Sequence, residues 1–247
     1  MQLSTHNYFY IDPENVSRDF FIITEDDFHH AARVLRLMAG SVITAVDGIG
    51  NEYIGEIQKI VRNKEAKCLI VKKRRKPNEP LLDITLIQAV IKGDRFESLV
   101  EKAVELGVNR IIPVHTKRCV VTADTKKINR WRRKAISAMK QSCRSVLPEI
   151  TPVSDLNEAL ELTSNISLKM ILSQDVENTI SQVIRKYMIE RSTRSAAVLI
   201  GPEGDFTEEE TAQAKKQFFE PVSMGQRRLR SETAGIAVLS ALLAFDD

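Results

Sequence analysis

The sequence predicts a small β-barrel followed by an α/β domain built on a parallel sheet, and three observations carry that expectation. Short strand-like runs dominate the first 75 or so residues. Beyond about residue 80, strands and helices alternate. Between the two regimes lies Lys72-Lys73-Arg74-Arg75-Lys76-Pro77-Asn78-Glu79-Pro80, a run of like charges followed by two prolines, which should repel itself and resist regular structure. The expected domains are therefore 1–75 and 76–247, within a chain of 247 residues that is long enough for a small domain and a medium one.

The barrel begins with Tyr8, Phe9 and Tyr10, which most simply start a strand. Phe20–Ile23, Val42–Val46, Tyr53–Val61 and Cys68–Val71 follow, separated by turn material such as Asp47-Gly48-Ile49-Gly50-Asn51. One helix is expected among them, from about Glu25 to Met38, closed by Gly40. In the second domain Leu82–Ile91 reads as a strand. The next helix, Asp94–Leu106, places Phe96, Leu99, Val100 and Ala103 on one face, with Asp94 and Glu97 as a capping box. Ile111–His115, Met170–Ser173, Ala197–Ile200 and Val222–Met224 are further strands. The helices between and after them are Lys127–Arg144, one near Thr179–Arg191, one capped by Thr207 with Glu210, and the apolar Thr233–Phe245.

Composition excludes several classes of protein. With 43% hydrophobic and 28% charged residues the chain reads as globular, and no run approaches the roughly 18 apolar residues of a spanning helix. The opening Met1–His6 lacks the charged-then-apolar layout of a secretory signal. Cys68, Cys119 and Cys143 have neither metal-ligand spacing nor a plausible disulfide framework, so no metal and a cytoplasmic location are expected. His29 and His30 are adjacent and point apart on a helix, and neither His6 nor His115 has a ligand partner nearby. The net charge of +3 is modest, and its distribution says more.

Three segments could carry chemistry. Ile200-Gly201-Pro202-Glu203-Gly204-Asp205-Phe206 leaves a buried strand for a capped helix, which in a parallel sheet is where ligands bind. Its glycines permit close backbone approach, although a plain tight loop has the same spacing. It matches neither a P-loop nor GxGxxG. Met224-Gly225-Gln226-Arg227-Arg228-Leu229-Arg230-Ser231-Glu232-Thr233-Ala234 likewise links a short strand to a helix, with Glu232 at the positive helix start. The two loops should converge on one rim. The third segment, between Asp124 and Glu149, holds Lys126, Lys127, Arg130, Arg132, Arg133, Lys134, Lys140 and Arg144 with no acid, the footprint of a phosphate-binding face. Its Trp131 either stacks on a base or anchors the helix to the core.

These residues resemble the family of ribosomal small-subunit RNA uridine N3-methyltransferases, RsmE, of the SPOUT superfamily. The similarity runs nearly end to end, through His29-His30-Ala31-Ala32-Arg33-Val34-Leu35-Arg36, Glu101-Lys102-Ala103-Val104-Glu105-Leu106-Gly107-Val108, Trp131 to Gln141-Ser142-Cys143-Arg144, Ile200–Phe206 and Leu229-Arg230-Ser231-Glu232-Thr233-Ala234. Two positions depart from the pattern: Asp205 stands where another glycine is usual, and the opening His6-Asn7-Tyr8-Phe9 lacks an arginine before the aromatic pair.

The resemblance implies a PUA-like RNA-binding barrel followed by a SPOUT α/β-knot domain with a deep trefoil knot in its C-terminal chain. It implies a homodimer that shares its active sites, S-adenosyl-L-methionine (SAM) as cofactor, and 16S ribosomal RNA of the small subunit as partner, with no membrane. Cofactor contacts fall on Leu172, Ile200, Gly201, Pro202, Gly204, Met224, Gly225, Leu229, Glu232, Thr233 and Ala234. RNA contacts fall on Arg33, Arg36, Lys127, Arg130, Arg132, Arg133 and Arg144. Methylation of uracil N3 needs charge stabilisation on the ring carbonyls or a base. Arg230 is the expected donor, and Glu203 either accepts the proton or holds the loop. Ribose 2′-O-methylation and a non-catalytic RNA-binding or assembly role are the competing readings.

Overall fold

The computed structural model describes residues 8–31, 35–61, 64–174, 176–187 and 193–245. They group into two units, one of residues 1–79 with 136–147 and one of 80–135 with 148–247.

The first unit is a five-stranded sheet. Its strands are β1 (Tyr8–Tyr10), β2 (Phe20–Thr24), β3 (Val42–Val46), β4 (Asn51–Val61) and β5 (Glu65–Arg75), in the order β1-β3-β4-β5-β2. β1 runs parallel to β3, and the other pairs are antiparallel. Alternation places Phe9, Phe21, Ile23, Ile43, Ile57 and Cys68 in one core. Of the helix expected over Glu25–Met38, α1 covers Glu25–His29, and at Arg36 the chain is outside any helix, in left-handed backbone with φ of 53°.

The basic run is not a linker. Lys72, Lys73, Arg74 and Arg75 are the end of β5, paired with Ile54, Tyr53, Glu52 and Asn51 of β4. The neighbouring strand supplies what the run lacks. Arg74 Nε donates to Glu52 at 2.5 Å, Lys73 lies over the Tyr53 ring, and Arg75 donates to Asn51 at 3.1 Å. Cross-strand partners offset the repulsion that the sequence alone suggests.

The second unit holds β6 (Asp83–Ala89), α2 (Arg95–Glu105), β7 (Arg110–His115), α3 (Thr125–Gln141), β8 (Glu149–Ile150), β9 (Ser154–Asp155) and α4 (Leu156–Glu161). It continues with β10 (Leu168–Leu172), α5 (Ile180–Arg185), β11 (Ser195–Ile200), α6 (Glu208–Lys216), β12 (Glu220–Val222) and α7 (Ser231–Leu243). Residues of α3 from Ile136 onward, with the turn to Leu147, group with the first unit. The sheet order is β12-β10-β11-β6-β7-β8, β9 also pairs with β7, and every pairing is parallel. Parallel strands are covered on both faces, and β11 accordingly reads Ala-Ala-Val-Leu-Ile with all five buried.

The helices follow their apolar stripes. α2 buries Phe96, Leu99, Val100, Ala103 and Val104. The expected capping box at its start does not form: Asp94 makes no side-chain cap bond and instead accepts from Arg130 of α3 at 3.4 Å. Thr207 and Glu210 do form one on α6, as expected. α7 rests on α2, α5 and β11. Among the described residues no helix is long and apolar enough to cross a membrane, and no acid, histidine or cysteine cluster could hold a metal ion. The three cysteines are free.

Candidate functional site

The carboxyl ends of β10, β11 and β12 open onto one rim of the sheet, where side chains of a parallel sheet leave the core and backbone groups become available to a ligand. The segments that leave those ends enclose a cavity of about 360 Å3. Leu172 ends β10 and Ser173 and Gln174 follow it, Ile200 ends β11 and Gly201–Glu203 and Asp205 follow it, and Met224, Gly225 and Arg227–Ser231 come from the segment after β12. Ala234, one turn into α7, completes the lining.

The Gly201–Phe206 loop is fastened from several sides. Asp205 N–H donates to the Pro202 carbonyl at 3.0 Å. The Asp205 carboxylate accepts from Phe206 N–H at 2.8 Å. Arg118, in the segment after β7, donates to the Gly204 carbonyl at 2.8 Å and to that of Phe206 at 3.3 Å. The Ser231 hydroxyl donates to the Gly201 carbonyl at 2.5 Å and accepts from Gln88 Nε2 at 2.8 Å. A side chain at Gly201 would meet the Phe206 ring at 3.1 Å, so glycine there lets the loop close on its own aromatic residue. Asp205 takes the left-handed backbone (φ 63°) that glycine would otherwise supply. Its short carboxylate, bonded to the next amide, is what makes that conformation tolerable.

The Met224–Arg230 segment has fewer ties. Gly225, with φ of 97°, donates its N–H to the Ser223 hydroxyl at 3.1 Å. Arg228 donates to Gln174 at 2.9 Å. Arg227, Arg228 and Arg230 are exposed, and none is in an ion pair with an acid among the described residues. Arg230 is the N-cap of α7 by backbone position and makes no side-chain cap bond. Three cations beside an open cavity form a site for an anionic or electron-rich group.

Among the residues singled out from sequence, Leu172, Ile200, Gly201, Pro202, Glu203, Met224, Gly225, Leu229, Arg230 and Ala234 meet around this one cavity. Gly204, Glu232 and Thr233 do not line it. Gly204 is exposed and packs on Arg118, Thr233 faces outward, and Glu232 turns toward Arg95. Sequence reasoning missed Arg95 and Arg118, whose partners lie about a hundred residues away along the chain. Both follow the carboxyl end of a neighbouring parallel strand, β6 or β7, and that shared rim was the available signal.

The basic helix α3 is less free than its sequence. Arg130 pairs with Glu97 at 2.8 Å and Lys134 with Glu101 at 2.9 Å, both acids coming from α2. Lys127 donates to the Thr122 carbonyl and Arg132 to that of Ile150. Lys126, Lys127, Arg132 and Arg133 remain exposed. Arg144 is a correction: it is 2% exposed, and its guanidinium donates to Glu79 at 2.8 and 3.1 Å. A buried arginine committed to a buried carboxylate is not at the disposal of a phosphate. Arg36 is exposed, and Arg33 lies outside the described residues. Trp131 is 3% exposed and stacks on Phe96 at 4.0 Å, so it anchors the helix.

The RNA methyltransferase domain family matches residues 77–243, and the RNA methyltransferase PUA domain family matches residues 23–71. Ribosomal RNA small subunit methyltransferase E of Mesomycoplasma hyopneumoniae is 32% identical, the alignment covering 90% of this chain and 93% of that protein. The crystal structure of the Neisseria gonorrhoeae ribosomal RNA small subunit methyltransferase E bound to S-adenosyl methionine superposes with a TM-score of 0.84 at 33% identity, over 96% of this chain and 97% of that one. A Legionella pneumophila methyltransferase in complex with SAM superposes at 0.81, with 30% identity over 96% and 97% of the two chains. A shared fold, the match to both domain families and identity sustained over nearly the full length converge on one statement: this chain belongs to the ribosomal RNA small subunit methyltransferase E family.

Proposed function

We propose that the chain methylates N3 of a specific uridine in 16S ribosomal RNA of the small subunit, with SAM as the methyl donor. The observation that carries this reading is the rim cavity, where an apolar wall and three arginines that make no ion pair among the described residues face the same space. The residues present fit the cofactor. Leu172, Ile200, Leu229 and Ala234 offer apolar surface for an adenine, and loop backbone groups offer it hydrogen bonds. The volume lies in the range of roughly 300–1,000 Å3 common for small-molecule sites. In this reading the contacts proposed from sequence at Gly201, Pro202, Met224 and Gly225 are made directly, and Gly204, Glu232 and Thr233 act from behind the wall.

When bound, the sulfonium supplies an electrophilic methyl group. The chain's residues must then place uracil N3 in line with it and favour the form of the ring that has lost the N3 proton. Arg230, exposed at the mouth, can donate to a ring carbonyl as negative charge develops there. Glu203 is fastened by Arg95 at 2.5 Å, which favours its loop-holding role over proton acceptance. Positioning of the two reactants carries much of the remaining effect.

The wider reading has residues 1–75 as the RNA-binding module and 76–247 as the methyltransferase domain. Exposed Lys127, Arg132 and Arg133, with Arg130, would meet phosphates. A homodimer sharing its sites, a knotted C-terminal trace and a cytoplasmic location belong to the same proposal. The partly exposed face of α7, with Ile236, Ala237 and Ala241, supports a second subunit there.

The test is to incubate the protein with SAM and unmethylated small subunits, then digest the RNA and map the product by mass spectrometry. A single base-methylated uridine is expected. Methyl on a ribose, or no transfer despite SAM binding, would overturn the proposal.

A further inference from the structure

Arg95 touches neither loop of the cavity in sequence and does not line it, yet both cavity walls reach it. It is the first residue of α2. Its Nη2 lies 2.5 Å from Glu203 in the loop after β11. Its Nη1 lies 3.8 Å from Glu232 in the first turn of α7. Nε donates to the Lys92 carbonyl at 3.2 Å, which fixes the plane of the guanidinium. Lys92 N–H adds a long contact of 3.5 Å to the same Glu203 oxygen.

The Glu232 end decides how much the bridge matters. Glu232 Oε2 is buried and accepts no hydrogen bond among the described residues. Its side chain is only 13% exposed, and the cation opposite it is Arg95. Without Arg95, a buried carboxylate at the start of α7 would face a second carboxylate on the facing loop with no counter-charge between them. Uncompensated buried charge is costly, and the relief available is for the walls to part.

From this geometry we propose that Arg95 is a positioning residue for the cofactor pocket: one guanidinium holds the Gly201–Phe206 loop and the start of α7 in register. The inference rests on the cavity being the SAM site. The planar fork suits two carboxylates at once, which a lysine ammonium does not. Arg95 acts on where Gly201, Pro202 and Ser231 stand, and the methyl-transfer step itself does not involve it.

The test compares wild type, Arg95→Met, Arg95→Lys, Glu203→Gln and the Arg95→Met/Glu203→Gln double variant. SAM affinity is measured by calorimetry, KM for SAM and kcat by methylation of small subunits, and folding by thermal melting. Arg95→Met should weaken SAM binding by about five- to tenfold, the scale of one or two half-exposed pairs, and raise KM for SAM in step. Its kcat at saturating SAM should stay within about threefold of wild type, since only uniform binding is lost. Arg95→Lys should recover part of the affinity. In the Glu203→Gln background Arg95→Met should cost less than it does alone, because the partner is already gone. Unchanged SAM affinity in a folded Arg95→Met protein would overturn the proposal, and so would a fall in kcat with KM unchanged. Additive losses in the double variant would remove Glu203 as the group through which Arg95 acts. If wild type itself does not bind SAM, it is the functional assignment of the cavity that fails.

Discussion

The two segments that meet at the cavity are built in opposite ways. Gly201–Phe206 is tied by an internal turn, by Arg118 through two carbonyls, by Ser231 through a third and by Arg95 through Glu203. Met224–Arg230 has a glycine in left-handed backbone held to the Ser223 hydroxyl and one bond to Gln174, and it carries three exposed arginines. The first wall has lost its conformational freedom before any ligand arrives, so binding to it costs little further ordering. The second keeps its cations available. That division suits a site where a small cofactor is held against the fixed wall and a charged polymer approaches the other.

The largest expected effect breaks the comparison on its open side. Arg230→Ala should lower the single-turnover methylation rate by about 2–4 kcal/mol of transition-state stabilisation, the loss typical of one preorganised donor. Arg230 makes no side-chain cap bond on α7, so alanine removes a guanidinium without removing a cap. SAM affinity by calorimetry should be unchanged. A rate near wild type would take Arg230 out of the chemistry and leave the open wall a binding surface only.

The fixed wall is tested by two glycines that look alike in sequence. A Cβ at Gly201 would stand 3.1–3.2 Å from the Phe206 ring, and one at Gly204 would rest in ordinary contact with Arg118, nearest atom 3.4 Å. Gly201→Val should therefore cost about 1–3 kcal/mol through overpacking and displace the loop from the cavity, visible as lost SAM affinity. Gly204→Ala should change stability and affinity by no more than about 0.5 kcal/mol. Equal effects at the two positions would mean that the loop is not held against Phe206.

Much of this was legible in the sequence, and the failures share a cause. Alternation of strands and helices gave the parallel sheet, and β3 falls on Val42–Val46 as read. Both cavity loops were visible because glycine and proline mark a strand-to-helix turn locally. What local reading could not supply was the partner brought by the fold. Asp94 and Glu97 look like a capping box, but Arg130 from α3 claims both carboxylates. Lys72–Arg75 looks like a linker until Glu52 and Tyr53 stand beside it. Arg144 looks like one more phosphate ligand until Glu79, 65 positions earlier, takes its guanidinium into the interior. Arg95 and Arg118 carry no signal at all without the rim that the sheet creates.

The basic helix gives a smaller effect, which tests how much of its charge survives folding. With Arg130 and Lys134 paired to α2, the exposed cations of this helix in no ion pair among the described residues are Lys126, Lys127, Arg132 and Arg133. Reversing Arg132 and Arg133 to glutamate should weaken RNA binding and flatten its dependence on salt, each lost phosphate contact removing about 0.7–0.9 from the logarithmic slope. SAM affinity should not move. An unchanged slope in filter-binding measurements across salt would mean that these arginines are merely solvated.

The smallest effect concerns Asp205, the one residue of the fixed wall that does a glycine's work without being one. Its φ of 63° costs an ordinary side chain roughly 1–2 kcal/mol. The Asp205 carboxylate recovers part of that by accepting the Phe206 amide at 2.8 Å, a bond available only to a short acceptor in this backbone conformation. Alanine keeps the strain and loses the acceptor, so Asp205→Ala should lower stability by about 1 kcal/mol. Glycine removes the strain together with the acceptor, and Asp205→Gly should fall within about 0.5 kcal/mol of wild type. Thermal melting of the three proteins orders them directly. If alanine is as stable as aspartate, the carboxylate bond contributes nothing to the turn. Asp205 would then be free to serve the cavity it lines, and the tightness of this wall would rest on its internal turn and on Arg118, Ser231 and Arg95.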